Sequence, residues 1–134
     1  MLHFLLDLLF PTRSLSGEEG ECMSERELRE LRPRLIIVEQ EKLHRMGLPS
    51  FDRLYAAAEY QKSPLLRRAL HQWKYRSIRA FNQPLIQFLC DAVQQQEFSA
   101  DTVLCPLPLH WIRAFDRGFN QAEALANGLA KAQT

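Results

Sequence analysis

The residue types best able to do chemistry stand close together near the end of the chain, just before a helical pattern. They combine two arginines with a histidine, a glycine, two side-chain amides and a leucine: Leu109, His110, Arg113, Arg117, Gly118, Asn120 and Gln121. Arginine donates paired hydrogen bonds to phosphate oxygens, and the N–H groups of a loop and of a helix N-terminus favour an anion. The pattern therefore predicts a phosphate- or pyrophosphate-binding site.

Several of these residues have a specific expected task. Gly118 would let the backbone approach a ligand or adopt a positive φ. Asn120 would cap the following helix, Gln121 would reach a ligand oxygen, and His110 would donate to phosphate near neutral pH. A purely structural interpretation stays open, because arginine-rich loops before capped helices are common and are usually solvated.

A second group of cations lies between residues 61 and 81, where no acidic residue interrupts the sequence. Lys74, Arg76 and Arg79 stand near Trp73 and Tyr75, a pattern that suits contact with a nucleic-acid backbone. The alternative is a solvated helix face whose leucine and tryptophan residues belong to the core.

Composition limits the class of protein. The chain has 134 residues, 46% of them hydrophobic and 25% charged, with a net charge of +1, as expected for one soluble domain with a real core. Its three cysteines contain no Cys-x-x-Cys pair, so we predict neither a disulfide framework nor a zinc site, and a cytoplasmic location. The apolar start, residues 1–10, is too short for a membrane span and predicts an amphipathic helix.

The remaining patterns predict an α/β order of elements. Ser24 and Glu27 form a capping box, and Ser63-Pro64 begins a second helix. A third helix starts either near Ser77 or at Pro84, with Asn82 as its cap. The other predicted elements are strands over 35–38, 51–60 and 102–107, a connector over 39–50, and a last helix over 120–131.

Three segments carry a family likeness. They are FDRLYAAAEY, PLLRRALHQWKYR and PLPLHWIRAFDRGFNQAEALANGLA, in that order. This ordered set, with the opening LLDLLFPTR, resembles the ComF-like (competence protein F, also GntX-like) proteins related to phosphoribosyltransferases. The likeness covers residues 1–13 and 51–131, and its most specific part is the Arg-Gly-Phe-Asn-Gln signature at 117–121.

The resemblance implies a partial type I phosphoribosyltransferase fold, which is a parallel sheet flanked by helices. Residues 1–50 would be a short helical and loop region at the position of a zinc ribbon, and residues 51–134 the first part of the transferase-like domain. Residues 106–121 would bind the pyrophosphate of phosphoribosyl pyrophosphate (PRPP) with Mg²⁺. The implied process is DNA uptake in natural competence, with a competence helicase or other uptake proteins as partners.

Two departures from the family pattern shape the functional hypotheses. Ser14 and Gly17 stand where a first cysteine pair would be, and Cys22 lacks a partner at Glu25, so zinc is not expected. The acidic pair and Thr-Thr-Gly turn that hold the ribose and its 5′-phosphate are missing, so we expect a fragment or a short relative without turnover.

Catalytic residues remain unassigned. The alternatives are a non-catalytic adaptor that binds protein partners or single-stranded DNA, and an α/β domain whose signature is only structural.

Overall fold

A computed structural model describes residues 14–17, 21–76, 78–99, 101–112 and 118–132. Five α-helices and one two-stranded sheet lie wholly within these ranges. The helices are α1 (Glu25–Glu30), α2 (Gln40–Arg45), α3 (Pro64–Tyr75), α4 (Asn82–Val93) and α5 (Gln121–Ala132). The strands are β1 (Ile36–Glu39) and β2 (Arg53–Ala56), and 3₁₀ turns span Tyr60–Lys62 and Arg79–Phe81.

Two helices begin where the sequence predicts. The Ser24 hydroxyl accepts from the Glu27 N–H at 3.4 Å, and the Glu27 carboxylate accepts from the Ser24 N–H at 2.8 Å. Both halves of the predicted capping box are therefore present. Ser63 likewise accepts from the N–H of Leu66 at 3.3 Å, with Pro64 at the first helical position.

The predicted parallel sheet flanked by helices is wrong. β1 and β2 pair antiparallel, with Ile37 opposite Tyr55 and Glu39 opposite Arg53. Between the strands, the short helix α2 and a turn at Gly47, at φ +81°, return the chain beside β1 in the opposite direction. The predicted connector over 39–50 thus contains a helix, and the strand predicted over 51–60 is shorter than expected.

The strand predicted over 102–107 is also wrong, since this segment has no regular secondary structure. Pro106 and Pro108 have no N–H to donate to a neighbouring strand. Val103 is 85% exposed and Leu107 is 80% exposed, so the apolar pattern here does not mark a buried strand. The helix predicted over residues 2–10 lies outside the described residues.

The core lies between α3, α4 and four residues that precede or end α1: Leu15, Cys22, Met23 and Leu31. Trp73 is 2% exposed and Met23 is 1% exposed, and Leu85 and Phe88 of α4 pack with them. α5 packs along α4, where Gly128 lies against Ile86.

The predicted boundary near residue 50, between an N-terminal region and a transferase-like domain, stays a prediction. None of the helices in the described ranges is long and apolar enough to cross a membrane.

Candidate anion-binding site

Three elements meet at the start of α5. The indole Nε1–H of Trp73, near the end of α3, donates to Oδ1 of Asn82 at 2.6 Å, which ties α3 to the first residue of α4. The Trp73 ring also lies 6.1 Å from the ring of Phe119, just before α5. Trp73 therefore anchors both the start of α4 and the approach to α5.

Arg79 holds the end of the loop that leads into α5. Its Nη2 donates to the carbonyl oxygen of Gly118 at 2.5 Å, and its guanidinium carbon lies 5.2 Å from the centre of the Phe119 ring. Gly118 has φ +67°, which confirms the positive φ predicted for it. A cation is thus fixed next to the loop by a hydrogen bond and a cation–π contact.

The side chain of Asn120 makes two hydrogen bonds to the backbone. Its Oδ1 accepts from the N–H of Ala122 at 3.0 Å, which confirms the predicted cap of α5. Its Nδ2 donates to the carbonyl oxygen of Leu107 at 3.2 Å. This second bond holds Leu107 beside the residue that precedes α5, at the helix N-terminus.

A cleft of about 230 Å³ opens beside Asn120 and the first turns of α5. Polar side chains from the 3₁₀ turn, α4 and α5 line it together with Phe119: Arg79, Asn82, Asn120, Glu123 and Asn127. Asn120, Glu123 and Asn127 share one face because they are spaced three and four residues apart along the chain. The cleft therefore offers a guanidinium, several amides and one carboxylate next to the α5 N-terminus.

The residues predicted for phosphate binding differ in exposure where the structure describes them. Leu109 is half-buried, and His110 is exposed, with its Nδ1 accepting weakly from the Ile112 N–H at 3.4 Å. Gln121 is only 5% exposed, so it belongs to the packed side of α5. Arg113 and Arg117 lie outside the described residues.

The residues predicted for nucleic-acid contact have different surroundings. Lys74 and Arg76 are exposed at the end of α3, and neither forms an ion pair with any residue that the structure describes. Tyr75 between them is 69% exposed and lies 4.8 Å from the ring of His71. Arg79 instead turns toward Gly118.

Sequence reasoning did not assign Asn82, Glu123 or Asn127 to the site. The spacing of Asn120, Glu123 and Asn127 along one helix face is the signal that would have found the last two. Asn82 carries no such signal, because its position depends on the tertiary contact with Trp73.

Mg²⁺ bound to a diphosphate takes one or two carboxylates from a protein and its other oxygens from the ligand and water. Glu123 is a carboxylate on the cleft and fits that limited demand. Across the described ranges, no three His, Cys, Asp or Glu side chains cluster in a way that would hold a metal ion by themselves.

Comparisons of the chain with protein families, with curated proteins and with solved structures find no match.

Proposed function

We propose that this protein binds a diphosphate ligand of the PRPP or pyrophosphate class at the N-terminus of α5, in the cleft beside Arg79 and Asn120. The observation that carries the proposal is the meeting of Leu107, Asn120 and the Arg79 guanidinium at the start of this helix. A helix N-terminus and a guanidinium are groups that proteins combine to hold phosphate.

The charge of the loop supports the same ligand class. Within residues 108–119 the sequence holds Arg113 and Arg117 against one acid, Asp116. Arg79 adds a further positive charge at the exposed side of the cleft. A diphosphate carries several negative charges, so it gains more from such a set than a single carboxylate would.

The resemblance to ComF-like proteins narrows the biological setting of the proposal. Through it we propose a role in natural competence, in the cytoplasm, beside a helicase or other DNA-uptake proteins. The proposal concerns binding, because the sequence lacks the acidic pair and Thr-Thr-Gly turn that would hold the ribose. The three cysteines are unpaired, as is usual in a reducing compartment.

Calorimetric titration with pyrophosphate and with PRPP, each with Mg²⁺, tests the proposal. Arg79→Gln should weaken binding about tenfold, which corresponds to about 1.4 kcal/mol. Lys131→Gln removes a cation from the opposite end of α5 and should leave affinity unchanged. An equal loss in both variants would indicate nonspecific charge attraction, and the absence of heat with either ligand would refute the proposal.

A second function is favoured by the exposed end of α3. Lys74, Tyr75 and Arg76 together present two cations and an exposed aromatic ring, a combination that binds single-stranded DNA. We therefore propose a weaker, salt-dependent contact with single-stranded DNA at this surface.

Fluorescence anisotropy with a labelled oligothymidine at several salt concentrations tests the DNA contact. Lys74→Ala with Arg76→Ala should reduce affinity and lower the salt slope by about 0.7 for each phosphate that is no longer neutralised. Arg26→Ala with Lys131→Ala removes the same charge elsewhere and is the matched control. Binding that does not depend on salt, or that both double variants weaken equally, would contradict the assignment.

A further inference from the structure

A separate cavity lies between residues 21–31 and the segment that includes α4. Its volume is about 670 Å³, within the range typical of small-molecule sites. None of the residues that line it also lines the cleft beside Asn120. The proposals above therefore leave this groove without a role.

The floor of the groove is apolar. Met23 is 1% exposed, Cys22 is 7% exposed, and Leu31 and Phe88 are each 8% exposed. Sulfur-containing side chains adapt to irregular ligands, and an aromatic ring gives a flat contact surface. A hydrophobic body such as an aromatic ring or a branched alkyl group would bury well here.

The rim of the groove carries negative charge. Exposed Glu21 and Asp91 line it, and no described residue among its lining is cationic. Gln87 donates from Nε2 to Oδ1 of Asp91 at 2.7 Å, which orients that carboxylate. The second carboxylate oxygen of Asp91 has no protein partner among the described hydrogen bonds and is available to a ligand.

We infer that this groove binds a small organic cation with an apolar body. The body would rest on Met23 and Phe88, and the ammonium or amidinium group would lie at the rim beside Asp91 and Glu21. An anion of the same shape would meet two carboxylates at the rim, so the groove discriminates by charge.

Three probes of one shape test this inference: 4-phenylbutylamine, 4-phenylbutanol and 4-phenylbutyrate. Binding is followed by NMR shifts of the backbone amides of residues 21–31 and 82–93. The amine should bind about tenfold more tightly than the alcohol, and the carboxylate should bind more weakly than either. Equal affinities for the three probes would overturn the charge assignment, and the absence of shifts at millimolar amine would overturn the site.

Paired variants locate the charge. Glu21→Gln with Asp91→Asn should remove the preference for the amine over the alcohol, while the amide oxygen introduced by Asp91→Asn can still accept the bond from Gln87. Glu97→Gln with Asp101→Asn makes the same two chemical changes at exposed acids outside the groove and should preserve the preference. If the control pair loses the preference equally, the attraction is due to net charge and the inference is wrong.

Alkylation followed by peptide mass spectrometry gives a second readout that needs no variant. Bound amine should slow the alkylation of Cys22, which lines the groove, about threefold or more. Cys105 lies outside the groove and serves as the internal reference. Equal slowing of both cysteines would place the probe elsewhere and contradict the inference.

Discussion

The guanidinium of Arg79 donates to the carbonyl oxygen of Gly118 at 2.5 Å, which links the turn before α4 to the loop before α5. The same guanidinium lies over the ring of Phe119 at 5.2 Å. A single side chain therefore fixes the position of a loop end and places a cation beside the candidate site.

Arg79→Lys tests whether the charge or the shape of this side chain is responsible for the link. Lysine keeps the positive charge but lacks the planar fork that both donates to Gly118 and covers Phe119. We expect the free energy of unfolding to fall by about 1 kcal/mol, because a cation–π contact and a charge-assisted bond weaken together. Urea unfolding measures this loss. Pyrophosphate affinity should fall less than in Arg79→Gln, and equal affinities in the two variants would argue that charge has no part in binding.

Asn120 allows a similar separation of its two tasks. Asn120→Asp keeps an oxygen that can accept from Ala122 but removes the donor to Leu107, whereas Asn120→Ala removes both. We expect Asn120→Ala to lower the free energy of unfolding by about 1 kcal/mol, the usual loss for a helix cap, and Asn120→Asp to lower it less. Both should weaken pyrophosphate binding, since neither variant can donate to Leu107 and hold it beside the start of α5. Calorimetry beside urea unfolding measures the two effects, and full binding by Asn120→Asp would show that the bond to Leu107 is unnecessary.

Gly128 fixes how closely α5 approaches α4. A Cβ at this position would lie 2.5 Å from Cγ2 of Ile86 and 2.7 Å from its Cδ1, closer than atoms tolerate. Gly128→Ala should therefore destabilise the protein by about 1–3 kcal/mol through overpacking, even though alanine favours a helix.

A second substitution tests that explanation of the Gly128→Ala loss. Ile86→Ala removes all the atoms nearest the new Cβ, so the double variant should be more stable than the sum of the two single changes predicts. Chemical unfolding of all four proteins measures the coupling. Strict additivity would mean that the contact with Ile86 is not the cause.

Trp73 and Asn82 are expected to depend on each other. Trp73→Phe removes the Nε1–H that donates to Asn82 and also leaves a cavity, so we expect a loss of about 2–4 kcal/mol. Asn82→Ala leaves the indole N–H without that acceptor and should cost about 1–3 kcal/mol. Urea unfolding of the single and double variants forms a cycle. Coupling close to zero would contradict a bond that stabilises the junction of α3 and α4.

The thiol of Cys22 makes stability depend on pH on the alkaline side. Burial raises the pKa of this thiol, and the charges of Glu21 and Glu27 also raise it, while backbone hydrogen bonds lower it in part. The folded protein therefore holds a proton that the unfolded chain releases above about pH 8.5, so this stability is present at neutral pH and is lost as pH rises.

Cys22→Ala isolates the contribution of this thiol. In the wild type, the urea midpoint should fall between neutral pH and pH values above the ordinary cysteine pKa, and Cys22→Ala should show a smaller fall. Cys105→Ala removes an exposed thiol and is the control variant. An equal fall in the wild type and in Cys22→Ala would assign the pH dependence to other groups.

Local signals in the sequence predicted where two of the helices begin. Each signal lies within four consecutive residues, Ser24 with Glu27 in one case and Ser63 with Pro64 in the other. Both capped helix starts are confirmed. Sheet direction is different, because the pairing of Val38 with Leu54 depends on how the chain turns between them. The resemblance to a parallel-sheet family therefore gave the wrong fold class.

The candidate site likewise combines features that local sequence predicts with contacts that it does not. The cap at Asn120 and the positive φ of Gly118 follow from residue type, and both are confirmed. The bonds from Asn120 to Leu107 and from Arg79 to Gly118 join distant positions, which no local pattern specifies. The role of Arg79 in particular could not be predicted. A basic residue near a helix end is equally compatible with exposure to solvent and with contact to a phosphate group.

The prolines of the segment VLCPLPL, residues 103–109, also bear on how the protein stays dispersed. Without them, this run of uncharged apolar residues would be a β-strand with a free edge, the kind of segment that templates aggregation. Pro106 and Pro108 remove two N–H donors, and each restricts the residue before it. Pro106 and Pro108 thus act as gatekeepers, so the protein can expose Val103 and Leu107 without offering a continuous edge on which copies of itself could stack.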